Sequence, residues 1–456
     1  MTKDLTGGHP LRVILLFSFP LVLGNLFQQF YALADTIIVG QFCGVSALAS
    51  VGATSSVNYL ILGFVIGACN GFAIPIAQLF GARDLPGLRK HVANAAWLCL
   101  GGSAVLTAAT VALTRPLLTL LQTPADILDG AATYIGWVCA GIPAIFLYNM
   151  VAAIMRALGD SKTPLYFLVL TSALNIGLDL LFVIPLKMGV LGAALATDLS
   201  QVISGVGSFL YLKKHFSVLR MEKEERAFSS RACRRLLGIG APMGLQCSIT
   251  AIGSVIMQWA VNVLGSTAVA AVTAAGKTMN LLTVPLESIG TAMATYAGQN
   301  LGASRLDRVK TGVRWALVII TVYSLAAALI LHFADVAIMG LFLDTAAETE
   351  IVAMGRQYLF WNSVFFIPLG ALIVWRYSIQ GLGYSTLAMM AGVAEMLART
   401  GVAILLVPRL GYFGAELANP AAWIAACVFL WPAFCWTCRR LEGRLAEARR
   451  RHGEAA

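Results

Sequence analysis

The sequence predicts an all-α membrane protein with about twelve transmembrane helices in two pseudo-symmetric six-helix lobes. Three observations carry that prediction. Of the 456 residues, 59% are hydrophobic and only 12% charged, with a mean hydropathy of +0.80, whereas soluble domains carry roughly a quarter charged residues. Nearly uncharged runs of about 18 residues or more, long enough to cross a bilayer as helix, recur along the whole chain. The second half of the chain repeats the first.

Breaking the apolar runs at polar, proline- or glycine-bearing positions places span starts near Leu11, Ala47, Val92, Leu128, Leu165, Val190, Leu236, Val272, Val313, Ile351, Thr386 and Ala415. The first run continues past Asp35 and offers no small-residue cleavage site, so it reads as a span rather than a removed signal. Loops after even-numbered spans, and both tails, hold nearly all the Lys and Arg: Arg83, Arg89, Lys90, Arg156, Lys162, Lys213 to Arg235, Arg305, Arg308, Lys310 and Arg439 to Arg451. The opposite loops offer Arg115, Lys187 and Arg409 beside the acids Asp335, Asp344 and Glu348. The positive-inside rule then puts both termini in the cytoplasm of a multi-pass protein of the plasma membrane. The net charge of +10 is spread over short loops, not gathered in a basic domain, so no nucleic-acid partner is expected. The nine cysteines fall mostly inside apolar runs, where Cys acts as a small hydrophobe. Cys435 and Cys438 make a lone CxxC, which is not read as a metal or redox site.

The repeat is visible in paired motifs. GVSALASVGAT from Gly44 resembles GSTAVAAVTAA from Gly265, and AQLFGARD from Ala77 resembles GQNLGASR from Gly298, both 221 positions on. RALGDS at Arg156 faces QGLGYS at Gln380, and PLKMGVLGAALAT at Pro185 faces PRLGYFGAELAN at Pro408. Between the halves lies the basic segment KKHFSVLRMEKEERAFSSRACRR. The predicted organisation is an N-terminal lobe (1–212), a cytoplasmic linker (213–235), a C-terminal lobe (236–438) and a basic tail (439–456). Each half holds an even number of spans, so both enter from the cytoplasm and the repeats are parallel, and a cavity between them opening alternately to each side is the expected mechanism. A stable channel is the competing reading.

An ionisable side chain at membrane depth costs a few kcal/mol, so each one calls for a partner or a job. Asp35, Asp179, Asp198, Lys277, Glu287, Glu395 and Arg399 are the charges placed inside spans. At ~1.5 Å per residue, Asp35 falls in the outer part of span 1, Asp179 in the outer part of span 5, and Thr197 and Asp198 at similar depth in span 6. Asn175 shares a helical face with Asp179, four residues on, and Tyr134 of span 4 falls at the same level. Such a cluster could hold and release a proton, or its oxygens could coordinate a hard cation such as Na+. Glu395 and Arg399, also four apart, read as a self-compensated pair. Lys277 and Glu287 are too far apart on span 8 to meet; either could line the central cavity, and Glu287 is a candidate second acid there. Pro20 removes a backbone hydrogen bond from span 1 and permits a bend, which sharing a helix with Asp35 could couple to protonation.

With these residues in place, the chain resembles the multidrug and toxic compound extrusion (MATE) family of secondary transporters. The resemblance rests on two six-helix lobes, the AQLFGA and GQNLGA repeats, and Pro20, Gln28, Tyr31, Asp35, Tyr134, Asn149, Asn175, Asp179, Thr197 and Asp198. It implies that Asp35, Asn175, Asp179 and Thr197 bind the coupling cation, with Tyr134, Asn149 and Asp198 in support. It also implies that Gln28 and Tyr31 line the drug cavity. Members that couple through the C-terminal lobe carry acids on spans 7 and 10, and neither APMGLQCSITAIGSVIMQWAVNVLG nor FWNSVFFIPLGALIVW has one.

The expected function is therefore a proton- or Na+-coupled antiporter that exports amphipathic or cationic organic compounds. The alternatives are a lipid-linked oligosaccharide flippase, for whose phosphates only Lys277 and Arg399 are counted here, and an uncoupled channel-like protein. No P-loop, hydrolytic or metal motif stands out, so no enzymatic activity, no cofactor and no metal beyond Na+ are expected. The bilayer and small organic substrates are the expected partners, and the protein is expected to be a monomer.

Overall fold

The computed structural model describes residues 2–121, 123–340 and 348–451. Asp344, counted among the outer-loop acids, and residues 452–456 of the tail lie outside the described residues. Every regular element among the described residues is helical. The first half comprises α1 (Pro10–Phe42), α2 (Val45–Gly81), α3 (Leu85–Leu120), α4 (Ala125–Ala140), α5 (Ile142–Ala157), α6 (Lys162–Val183) and α7 (Gly189–His215). The second comprises α8 (Ser230–Asn262), α9 (Ser266–Gly302), α10 (Leu306–Met339), α11 (Thr349–Val364), α12 (Phe366–Gly381), α13 (Ser385–Gly401), the short α14 (Val407–Leu410) and α15 (Tyr412–Glu416), and α16 (Ala418–Arg451).

Ten stretches are long and apolar enough to cross a bilayer unbroken, and two helix pairs make one bent span each, which gives twelve. The bends are 47° between α4 and α5 and 50° between α11 and α12. Pro143 stands at the second position of α5 and Pro368 at the third of α12. Neither can donate to the preceding turn, and each ring presses on the carbonyl four residues back, so the helix opens there. The outer face of α10 leaves Val318, Val322, Leu325, Leu329 and Phe333 exposed, a stripe at helical spacing that only lipid can cover.

The repeat is written into the backbone. Helices α2 and α9 each have 37 residues and begin 221 positions apart, at Val45 and Ser266. Each follows a left-handed glycine, Gly44 (φ 87°) and Gly265 (φ 98°). Each is followed by a left-handed residue that is not glycine, Arg83 (φ 58°) and Ser304 (φ 56°). The tight turn is imposed by the helices it joins, since neither side chain favours that conformation.

The chain divides into two compact units, one from Phe19 to Gly244 and one from Leu245 onward, with Thr6–Ser18 belonging to the second. The division cuts α1 just before Pro20 and α8 just after Pro242, matching places in the two halves and the points where each helix lacks a backbone donor.

Within the first unit, Gly67 and Gly71 of α2 meet Gly240 and Gly244 of α8, two small-xxx-small patterns that let backbones touch. A β-carbon on Gly71 would lie 2.5 Å from the Cα of Gly240, and one on Gly67 would lie 2.6 Å from the Met243 carbonyl oxygen. Backbone cannot retreat as a side-chain tip can, so Gly71→Leu is expected to destabilise the protein by about 3 kcal/mol. Thermal unfolding in detergent checks this against Gly101→Leu, whose β-carbon would meet nothing within 4 Å.

The linker is fastened to the first unit. Helix α7 runs on to His215 and α8 starts at Ser230, both inside the segment read as linker. Arg89 donates from Nε to the Val218 carbonyl (2.9 Å) and pairs with Glu225 (3.3 Å). The fully buried Asn94 donates to Ala227 O (3.3 Å) and accepts from the Ser229 N–H (2.7 Å).

Candidate functional site

Four elements of the first unit, α1, α4, α6 and α7, bring oxygen-bearing side chains together. Asp179 and Asn175 of α6 are 0% and 1% exposed. Asp35 of α1 stands one turn before Val39, which packs with Tyr134 of α4 and with Ala193 and Ala194 of α7. Asn175 donates from Nδ2 to the Thr197 hydroxyl of α7 at 3.3 Å. Tyr31 stands one turn before Asp35 on α1, and Tyr134 of α4 is buried.

Asp198 reaches this group through the bend. Its carboxyl packs against the Cα of Gly141, where α4 gives way to α5, and leaves no room for a β-carbon there. Beside the acids, Val39, Tyr134, Val138, Ala193 and Ala194 form a small apolar core that holds the far end of α1 against α4 and α7.

The oxygens of the cluster are short of donors. Oδ1 of Asp35, Asn175 and Asp198 and both carboxyl oxygens of Asp179 are buried without a hydrogen-bond partner. None of the three aspartates is in an ion pair among the described residues. Uncompensated buried carboxylates are costly, so the arrangement suits a bound cation, either a proton shared by the Asp35 and Asp179 carboxyls or a hard ion gathering the orphaned oxygens.

Not every predicted residue joins. Asn149 donates to Ile145 O of its own helix (2.9 Å) and stands eight residues past Gly141, ~12 Å along α5. Gln28 is exposed, two turns before Asp35. Pro20 sits inside α1, which stays helical through it. Glu287 lies in the second unit, where its Oε2 accepts from the Tyr377 hydroxyl at 2.7 Å.

The second unit corrects two readings. Glu395 and Arg399 do not form a closed pair: Arg376 of α12 donates to Glu395 Oε1, and Arg399 lies 3.7 Å from Oε2, so the carboxylate serves two buried cations. The inventory of intramembrane charges also omitted Arg376 and Glu416. Span 10 was drawn to stop at Trp375, whereas α12 continues to Gly381. Glu416 was placed at the margin of span 12, yet it is 0% exposed and neither oxygen has a hydrogen-bond partner. The readable signal was GAELAN facing GAALAT, an acid where the other half has Ala194.

Aligning the repeated motifs in sequence shows how the halves diverged. Tyr134 corresponds to Tyr358 and Asn175 to Arg399, each pair 224 positions apart, and Thr197 to Asn419, 222 apart. Asn419 donates to the Tyr358 hydroxyl (3.0 Å) and to Asn362 Oδ1 (3.2 Å). The second half thus keeps the tyrosine and a polar partner on the equivalent helices, but sets a guanidinium where the first half has Asn175.

Comparison with known proteins places this architecture. The family model MatE matches residues 20–181 and 242–405, one stretch in each half. YpnP of Bacillus subtilis (strain 168), named a probable multidrug resistance protein, is 32% identical over 385 residues, 83% of this chain and 84% of that one. The crystal structure of MATE in complex with MaL6 aligns with a TM-score of 0.89 at 25% identity, covering 98% of this chain and 100% of that one. The outward-facing conformation of a multidrug resistance MATE family transporter of the MOP superfamily aligns with a TM-score of 0.87 at 26% identity, covering 96% and 97%. With twelve spans, two repeated halves and a family match in each, the chain is a multi-pass membrane protein of the MatE family.

Proposed function

We propose that the protein exports amphipathic or cationic small organic compounds across the plasma membrane by cation-coupled antiport with alternating access, both termini being cytoplasmic. Asp35, Asn175, Asp179 and Thr197 bind the coupling cation, and Tyr31, Tyr134 and Asp198 shape the site. The observation that carries this reading is the set of buried oxygens without donors on α1, α6 and α7. The multidrug names of the relatives and the MATE complex with MaL6 support small organic cargo. Gln28 and Glu287 remain candidates for contact with that cargo. A flippase for lipid-linked oligosaccharides is the weaker reading, because Arg376 and Arg399, the two guanidiniums buried among the described residues, are both committed to Glu395 and are not arrayed for phosphate.

Purified protein in proteoliposomes, given a pH gradient or a Na+ gradient separately, tests the function with a cationic fluorescent dye as cargo. Dye movement driven by one gradient is the expected result; movement indifferent to both would end the antiport assignment. Glu416, a fully buried acid of the second half with no donor to either oxygen, makes coupling through that half the competing arrangement. Glu416→Gln is expected to keep gradient-driven transport within about two-fold, less than 1 kcal/mol, and its loss would move the coupling site.

A further inference from the structure

A cavity of about 710 Å³ opens between α3, α5 and α7 and shares no residue with the acidic cluster. Its walls are apolar, chiefly Leu100, Phe146, Leu147, Met150, Ile154 and Phe209. Leu100 and Phe209 are themselves exposed, so the mouth faces the bilayer. Along α3 the cavity extends from Val92 to Ser103, ~16 Å of helix, which matches the depth of one leaflet, half of the ~30 Å hydrocarbon core.

One end of this cleft is basic. Lys213, Arg220 and Arg226 line it there, and none of the three is in an ion pair among the described residues. Glu225 of the same segment is taken by Arg89 and by the Glu222 N–H. The rim is held in shape by Arg89 on Val218, Asn94 on Ala227 and the Trp97 indole on the Arg226 carbonyl (3.4 Å). Cations at headgroup level above an apolar slot one leaflet deep are complementary to one kind of molecule.

We propose that this cleft binds an anionic phospholipid from the leaflet on the linker side, with one acyl chain between α3, α5 and α7 and the phosphate at Lys213, Arg220 and Arg226. The bound lipid fastens α3 to α7 and to the linker. The site is independent of the transport assignment and stands or falls by lipid binding alone.

Native mass spectrometry of delipidated protein, titrated with phosphatidylglycerol or phosphatidylcholine in detergent, tests the proposal. Wild type is expected to retain phosphatidylglycerol in preference to phosphatidylcholine. Each cation removed is expected to weaken binding about five-fold, so the triple variant Lys213→Gln, Arg220→Gln, Arg226→Gln loses about a hundred-fold. Arg231→Gln with Arg234→Gln, exposed cations of the same segment, is expected to bind as wild type. Leu147→Trp, which fills the slot and leaves the charges alone, is expected to lose the lipid as well; it carries the test if the triple variant does not fold. Undiminished binding by the triple variant or by Leu147→Trp, equal retention of phosphatidylcholine, or displacement of the lipid by inorganic phosphate at equal concentration would overturn it.

Discussion

Asp179→Asn is expected to drop gradient-driven export to the level of protein-free liposomes while making the protein more stable. Asp179 is fully buried, has no donor to either oxygen and stands one turn past Asn175, which reaches Thr197. Such a group is held against its own solvation cost, which is tolerable only where the strain serves a purpose. Asparagine removes the charge, keeps the shape and can donate to Asp35, so thermal stability in detergent should rise by roughly 1 kcal/mol. Gradient-independent exchange of dye should persist, which separates lost coupling from lost folding. A variant that transports normally, or that melts earlier than wild type, would contradict the assignment.

Glu395→Gln has the opposite expected effect on stability. Its carboxylate is the shared counter-ion of Arg376 and Arg399, and all three side chains are buried. Removing one partner from a buried ionic cluster typically costs about 3–5 kcal/mol, because the remaining charges stay desolvated. A sharply lower unfolding temperature, with much reduced yield from membranes, is the expected outcome. Arg376→Gln should be milder, since Glu395 then keeps Arg399 nearby. The two acid-to-amide changes remove the same charge, and their opposite signs distinguish a carboxylate that compensates cations from one that waits for a cation. Equal behaviour of Asp179→Asn and Glu395→Gln would show that the surrounding partners do not decide the outcome.

Much of the fold was legible because a bilayer simplifies the code. Long apolar runs have to be helices, and the 221-position repeat from Gly44 to Gly265 is reproduced down to the sign of φ. The meeting of Asn175 with Thr197 was legible from depth alone, since rise per residue sets the level of a side chain. Depth does not set azimuth or reach, which is why Asn149 was expected near the acids and instead bonds within its own helix. It also cannot show a broken helix as a receptor for a side chain: Asp198 lies against Gly141 because the bend opens the backbone there. Arg376 and Glu416 were missed at span margins, where a charge reads as loop by default although the helices extend past the apolar window.

The central claim is that the cluster on α1, α6 and α7 binds the ion that exchanges for cargo. Ion release on cargo binding measures this directly, with purified protein in weakly buffered detergent followed by a pH indicator and, separately, with protein preloaded with radioactive Na+. Wild type is expected to release a proton or Na+ when dye is added. Asp35→Asn and Asp179→Asn are expected still to bind dye but to release neither ion. Ion release from either variant equal to that of the wild type would contradict the assignment.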